Sequence, residues 1–163
     1  MHRRLILAAC LLLVTSANAD EWKYEGGGVP IAYSDTGSAQ FQFACRGGDL
    51  AMGFWVREPD SQVAGASSMS VAITADPEPE SRDTALSSSF AQEMPLIHMD
   101  GSSVIVRGPV AREWARIAQR ARNLIRIAFV RTGSPGGLEV FDATVLGAKG
   151  SSGSIQKVLD QCR

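Results

Sequence analysis

The sequence predicts an α+β fold, mainly antiparallel β, with one central amphipathic helix, a short C-terminal helix and one disulfide. Three observations carry that expectation. Residues 40–56, QFQFACRGGDLAMGFWV, alternate apolar and polar side chains about a Gly-Gly turn, which is the period-2 signature of a β-hairpin. Residues 110–125 repeat apolar side chains at i, i+3, i+4 and i+7 instead, as one face of a helix does. The cysteines reduce to a pair, Cys45 and Cys162, once an N-terminal leader is set aside.

That leader is MHRRLILAACLLLVTSANA. Arg3 and Arg4 precede an apolar run from Leu5 to Val14, and the small residues Ala17-Asn18-Ala19 follow. A basic start, an apolar stretch too short to span a bilayer and an A-x-A site predict a secretory signal over residues 1–19. Leu7-Ala8-Ala9-Cys10 also has the look of a lipidation site, but the apolar run continues past Cys10. Cleavage after Ala19 leaves residues 20–163 as one α+β domain. It removes two of the 16 basic residues and none of the 17 acidic ones, so the formal charge moves from −1 to −3. No later run reaches the length of a membrane span, so no transmembrane segment is expected in the mature chain.

The elements then follow in order. Glu21 to Tyr24 is a short alternating segment, Gly26-Gly27-Gly28 breaks it, and Pro30 to Tyr33 starts a second strand. In the hairpin, Phe41, Phe43 and Cys45 share one face, with Gln40, Gln42 and Ala44 on the other. Met69, Val71 and Ile73 mark the next strand. Asp76 to Asp83 carries two prolines and four acids and reads as a solvated loop. Met94–Met99 and Val104–Arg107 flank Asp100-Gly101, a hairpin turn. Pro109 suits the first turn of a helix, whose apolar face is Val110, Trp114, Ile117, Ala118, Ala121, Leu124 and Ile125. Residues 125–131, IRIAFVR, equally favour a strand, so the helix end falls near Asn123 to Ile125. Gly133 to Gly137 is turn chemistry, and Leu138 to Leu146 is a strand. Gly147 to Gly153 reads as a flexible loop, and Ser154 to Cys162 as a closing helix capped by Ser152 or Ser154.

An even pair of cysteines in an exported chain is most simply one disulfide, Cys45 to Cys162. The competing readings are a metal site, for which ligands are lacking, and a reactive thiol, which has no histidine close in sequence to activate it. The arrangement of Cys45 between two strands, Phe141 in a late strand, Gly147 and a terminal helix ending in Cys162 resembles small exported bacterial proteins of the invasion-associated locus B type. It is also similar to accessory proteins of type VI secretion systems. The resemblance implies an envelope or secreted accessory domain without a known catalytic centre.

The candidate sites are few. His98 is the only histidine after the leader. It is the base that a small secreted hydrolase would use, with Asp100 to orient it and a serine as nucleophile, but no G-x-S-x-G elbow marks that serine. One histidine and two cysteines make a poor zinc site, and Asp76, Glu78, Glu80 and Asp83 lack the glycine turn of a calcium loop. No metal or cofactor is expected.

The arginines are more informative. Seven of them, Arg107, Arg112, Arg116, Arg120, Arg122, Arg126 and Arg131, occur over residues 107–131 against the single acid Glu113. Arg112, Arg116 and Arg120 stand four apart, on one side of the helix, where like charges cost stability unless something answers them. The answer is either internal, from the acidic loop or solvent, or an anionic partner bound through guanidinium groups. The expected partner is an unknown protein or anionic envelope component. Nucleic acid is disfavoured by the acidic domain. The sequence therefore predicts a non-enzymatic binding or accessory module in the periplasm or secreted, with Arg112, Arg116 and Arg120 as its contact residues. A hydrolase using His98 and a purely structural envelope protein are the alternatives.

Overall fold

In the computed structural model, which describes residues 21–77, 89–132 and 138–162, the alternating segments become nine strands of a single sheet. They are β1 (Lys23–Glu25), β2 (Ile31–Asp35), β3 (Ala39–Arg46), β4 (Asp49–Val56), β5 (Ser68–Ala75), β6 (Ser89–Ile97), β7 (Ser102–Arg107), β8 (Leu124–Thr132) and β9 (Leu138–Gly147). Three helices interrupt them: α1 (Ser61–Ala64), α2 (Gly108–Arg120) and α3 (Ser151–Gln161). The leader expected over residues 1–19, the acids Glu78, Glu80 and Asp83, and the turn at 133–137 lie outside the described residues.

The strand order is β1-β2-β3-β4-β7-β6-β5-β8-β9, and every pairing is antiparallel. The hairpin β3–β4 turns on Gly47 and Gly48 at φ 60° and 83°, the doubly left-handed conformation that a two-residue connection needs. The sheet bends at β6. That strand pairs with β5 along its length but with β7 only through Leu96 and Ile97. Glu93 sits at the bend with φ 46°, opposite a register shift between Met69 and Val71. Ser70 Oγ accepts the Glu93 N–H, and Ser68 Oγ donates to the Glu93 carboxylate, so the kink has fixed partners.

Curling brings distant strands together. Phe54 on β4 and Phe129 on β8 lie four places apart in the sheet, about 19 Å if it were flat, yet their rings are 5.3 Å apart. Trp22, just before β1, donates from its indole to Gly147 O at 3.0 Å and from its backbone to Lys149 O at 2.9 Å. The segment just before the first strand thus meets the end of the last. Phe41, Phe43, Phe54, Phe129 and Trp22 run through the hollow as a chain of ring contacts. Helix α2 adds Ala111, Trp114, Ala115, Ile117 and Ala118 to that core, and α3 adds Ile155 and Val158.

This architecture corrects the expected α+β class. Strands account for 52% of the described residues and helices for 22%, and the sheet is a nine-stranded curled half-barrel. The fold is therefore mostly antiparallel β. The helices are not a layer laid on an open sheet, because the curled sheet supplies both walls of the core and the helices fill its hollow. Two boundaries shift as well. Helix α2 stops at Arg120, Ala121 leaves the helix with ψ 135°, and Leu124 and Ile125 begin β8. Helix α3 starts at Ser151 behind Gly150 (φ 81°), ahead of the expected Ser152 or Ser154 cap. Ser151 is drawn in because its hydroxyl is buried and donates to Ala118 O.

The disulfide is present. Cys45 and Cys162 are bonded, with Cα atoms 5.6 Å apart and a sequence separation of 117. It ties the end of β3 to the residue that follows α3.

Candidate binding face on helix α2

The apolar face of α2 points into the hollow, so its polar face is left outward. The helix is set in place by Gly108 at φ 67° and Pro109 in the first turn. Arg112, Arg116 and Arg120 form a line along it, with Arg112 half-buried and the other two exposed. Their partners differ. Arg112 Nη2 donates to Cys162 O at 2.9 Å, at the end of α3, where unpaired carbonyls concentrate negative charge and favour a cation. Gln119 on α2 adds a second link by donating to Gln156 on α3 at 2.6 Å.

The other arginines of the cluster are engaged by the fold. Arg107 pairs with Asp49 at 3.3 Å, both exposed. Arg131 stacks over Phe141 at 4.8 Å, Arg126 is half-buried and has a partner, and Arg122 lies within electrostatic reach of Asp76. Arg116 and Arg120 remain. Among the described residues, neither guanidinium has an ion pair or hydrogen bond.

Asp76 was expected in a solvated acidic loop, as a possible screen for this stripe. Its carboxylate instead takes the backbone N–H groups of Arg122, Asn123 and Leu124 at 2.7–3.2 Å. Those bonds, aided by the Arg122 charge, hold its carboxyl below the usual aspartate range. They also explain why α2 ends where it does, since the N–H groups that would extend the helix belong to Asp76. The sequence signal for this role was local: an aspartate before a proline at the end of a strand.

His98 is exposed and links the start of β7 to the segment between α1 and β5, with Nδ1 2.9 Å from Ser102 Oγ and Nε2 2.8 Å from Ala66 O. Ser102 is only 1% exposed, so its hydroxyl does not face a space that a substrate can enter. Asp100 is left-handed at φ 51° and serves the turn, its carbonyl accepting the Trp55 indole N–H. The structure thus brings His98 to a serine, with both ring nitrogens engaged by partners other than Asp100. Among the described residues, no group of three or more His, Cys, Asp or Glu is arranged to hold a metal, and no helix is long and apolar enough to cross a membrane.

A cleft of about 470 Å³ lies at the seam where β9 curls back to the β2–β3 turn. Its lining mixes Arg57, Glu58 and Asp142 with small residues. Two of those charges are occupied: Arg57 donates to Gly37 O, and Asp142 accepts Asp60 N–H. No protein-family model matches the chain, and no curated protein or solved structure matches it.

Proposed function

We propose that the protein is an exported, non-enzymatic binding or accessory module of the bacterial envelope that contacts an anionic partner through α2. Arg116 and Arg120 make the main contacts, and Arg112, half-committed to Cys162 O, completes the stripe. The observation that carries this reading is the pair of exposed guanidinium groups one turn apart with no ion pair or hydrogen bond among the described residues. Such a pair destabilises a helix slightly, and a carboxylate or phosphate that receives bidentate hydrogen bonds removes the penalty. The disulfide supports an oxidising compartment, in keeping with the leader read from the sequence. The hydrolase alternative has the His98–Ser102 hydrogen bond in its favour, but it needs a nucleophile more accessible than Ser102.

The test compares residues 20–163 with the Arg116→Glu/Arg120→Glu variant for binding to polyglutamate and to vesicles of phosphatidylglycerol. Arg112 is left intact because its loss would loosen α3. Binding by the wild type that weakens at least about tenfold in the variant, and that fades as salt rises past the screening range of about 0.15 M, is the expected result. Equal binding by both proteins refutes the arginine face, and so does the absence of binding to either probe.

A further inference from the structure

We propose that Met99 is an oxidation site, at which a hydroperoxide converts the thioether to a sulfoxide while the fold stays intact. Four methionines follow the leader, Met52, Met69, Met94 and Met99, and the structure separates them by access. Met52 is fully buried on β4, and Met69 is 2% exposed on β5. Met94 is half-buried and packs against the same core. Met99 is 77% exposed, more than any other large apolar side chain among the described residues.

Access decides this reaction because the sulfur is itself the nucleophile. A lone pair on Sδ attacks the terminal oxygen of the O–O–H group, and the O–O bond breaks. The transferred oxygen gives up its proton, and the departing hydroxide or alkoxide takes one up to leave as water or an alcohol. Sulfur is oxidised by two electrons and the peroxide is reduced by two. A thiol must first ionise to react in this way, whereas a thioether carries no proton and needs no neighbouring base. No thiol competes for the oxidant either, since Cys45 and Cys162 are already joined.

The turn that presents Met99 is held by groups other than its side chain. The His98 ring is engaged by Ser102 Oγ on one side and Ala66 O on the other. Asp100 O accepts the Trp55 indole N–H, and Gly101 lies so close to Val56 O that no side chain fits there. A polar oxygen added to Met99 therefore stays in water and disturbs none of these contacts. The same oxygen on Met52 or Met69 would place an acceptor in the hydrophobic core with no donor to meet it. Oxidation at Met99 thus turns the tip of the β6–β7 turn from apolar to polar and leaves the sheet as it was.

Residues 20–163 would be treated with hydrogen peroxide, quenched over time, digested with trypsin and mapped by mass spectrometry. Met94 and Met99 share the tryptic peptide 83–107, so fragment spectra are needed to separate them. Met99 should gain one oxygen faster than Met52 and Met69 by about tenfold or more, with Met94 between. The singly oxidised protein should keep the urea midpoint of the untreated one. In urea above that midpoint the four methionines should react at one rate, which ties the difference to burial. Met99→Leu should remove the fast phase. Equal rates at Met99 and the core methionines in the folded protein overturn the proposal. A fast phase that survives Met99→Leu overturns it as well, and so does a single oxidation at Met99 that lowers the midpoint.

Discussion

Replacing Asp76 by Asn tests whether one exposed carboxylate fixes the junction between α2 and β8. Asn is the right substitution because Asp76 has φ 47°, a left-handed conformation that Asn tolerates and that Ala resists. The change therefore isolates the charge and one acceptor from the backbone. Four contacts from three N–H groups converge on the two oxygens. Asn keeps one oxygen, and water reaches the exposed site, so the loss stays at the lower end for charge-assisted bonds, about 1–2 kcal/mol. With a urea dependence of about 2 kcal/mol/M for a domain of this size, the midpoint falls by about 0.5–1 M at pH 7.

The pH dependence supplies an independent check of the same bonds. Asp76 is depressed in the folded state by the Arg122, Asn123 and Leu124 N–H groups. Its contribution is therefore fully present above the unfolded value of about 3.9 and is lost as pH falls through that value toward the lower folded one. Urea unfolding at pH 7, 5, 4 and 3 should show a gap between wild type and Asp76→Asn that holds from pH 7 to 5 and narrows below pH 4. A gap independent of pH, or no gap at pH 7, would refute the role assigned to the carboxylate.

Three further outcomes follow from the fold. Reducing the Cys45–Cys162 bond, which joins residues at a sequence separation of 117, should lower stability by up to about 4–5 kcal/mol, read as a fall in the urea midpoint with reductant. Gly101→Ala should abolish or severely impair folding, because Gly101 has φ +119° and an added Cβ would stand 2.2 Å from Val56 O; a variant with a wild-type thermal midpoint would count against the observed turn. Arg116→Ala and Arg120→Ala should be neutral or stabilise by about 0.2–0.5 kcal/mol at low salt, with the effect fading at 1 M salt. Arg112→Ala should instead cost about 1 kcal/mol, since it removes the bond to Cys162 O. Equal effects at all three positions would mean that the stripe has one role.

The parts of this fold that were legible in the sequence are those decided by neighbours in the chain. The β3–β4 hairpin follows from alternation and two glycines, and the cysteine pair from a count. The class was misread because it depends on closure, which local patterns do not record. Nothing in IRIAFVR says that Phe129 will reach Phe54 across a curled sheet, and nothing in the Trp22 segment says that it will close on Gly147. Helix α2 was extended into Leu124 and Ile125 for the same reason: the apolar period continues, but Asp76, 46 residues upstream of Arg122, takes the N–H groups that would have continued the helix.

The same distinction governs the candidate faces. Spacing alone placed Arg112, Arg116 and Arg120 on one side of α2, but it cannot say which of them the fold already uses. That depends on where the chain end lies, and α3 brings the Cys162 carbonyl to Arg112 and to neither of the others. The division gives the face an internal control: a partner that reads charge must respond to Arg116 and Arg120, whereas a loss confined to Arg112 would report on the anchoring of α3.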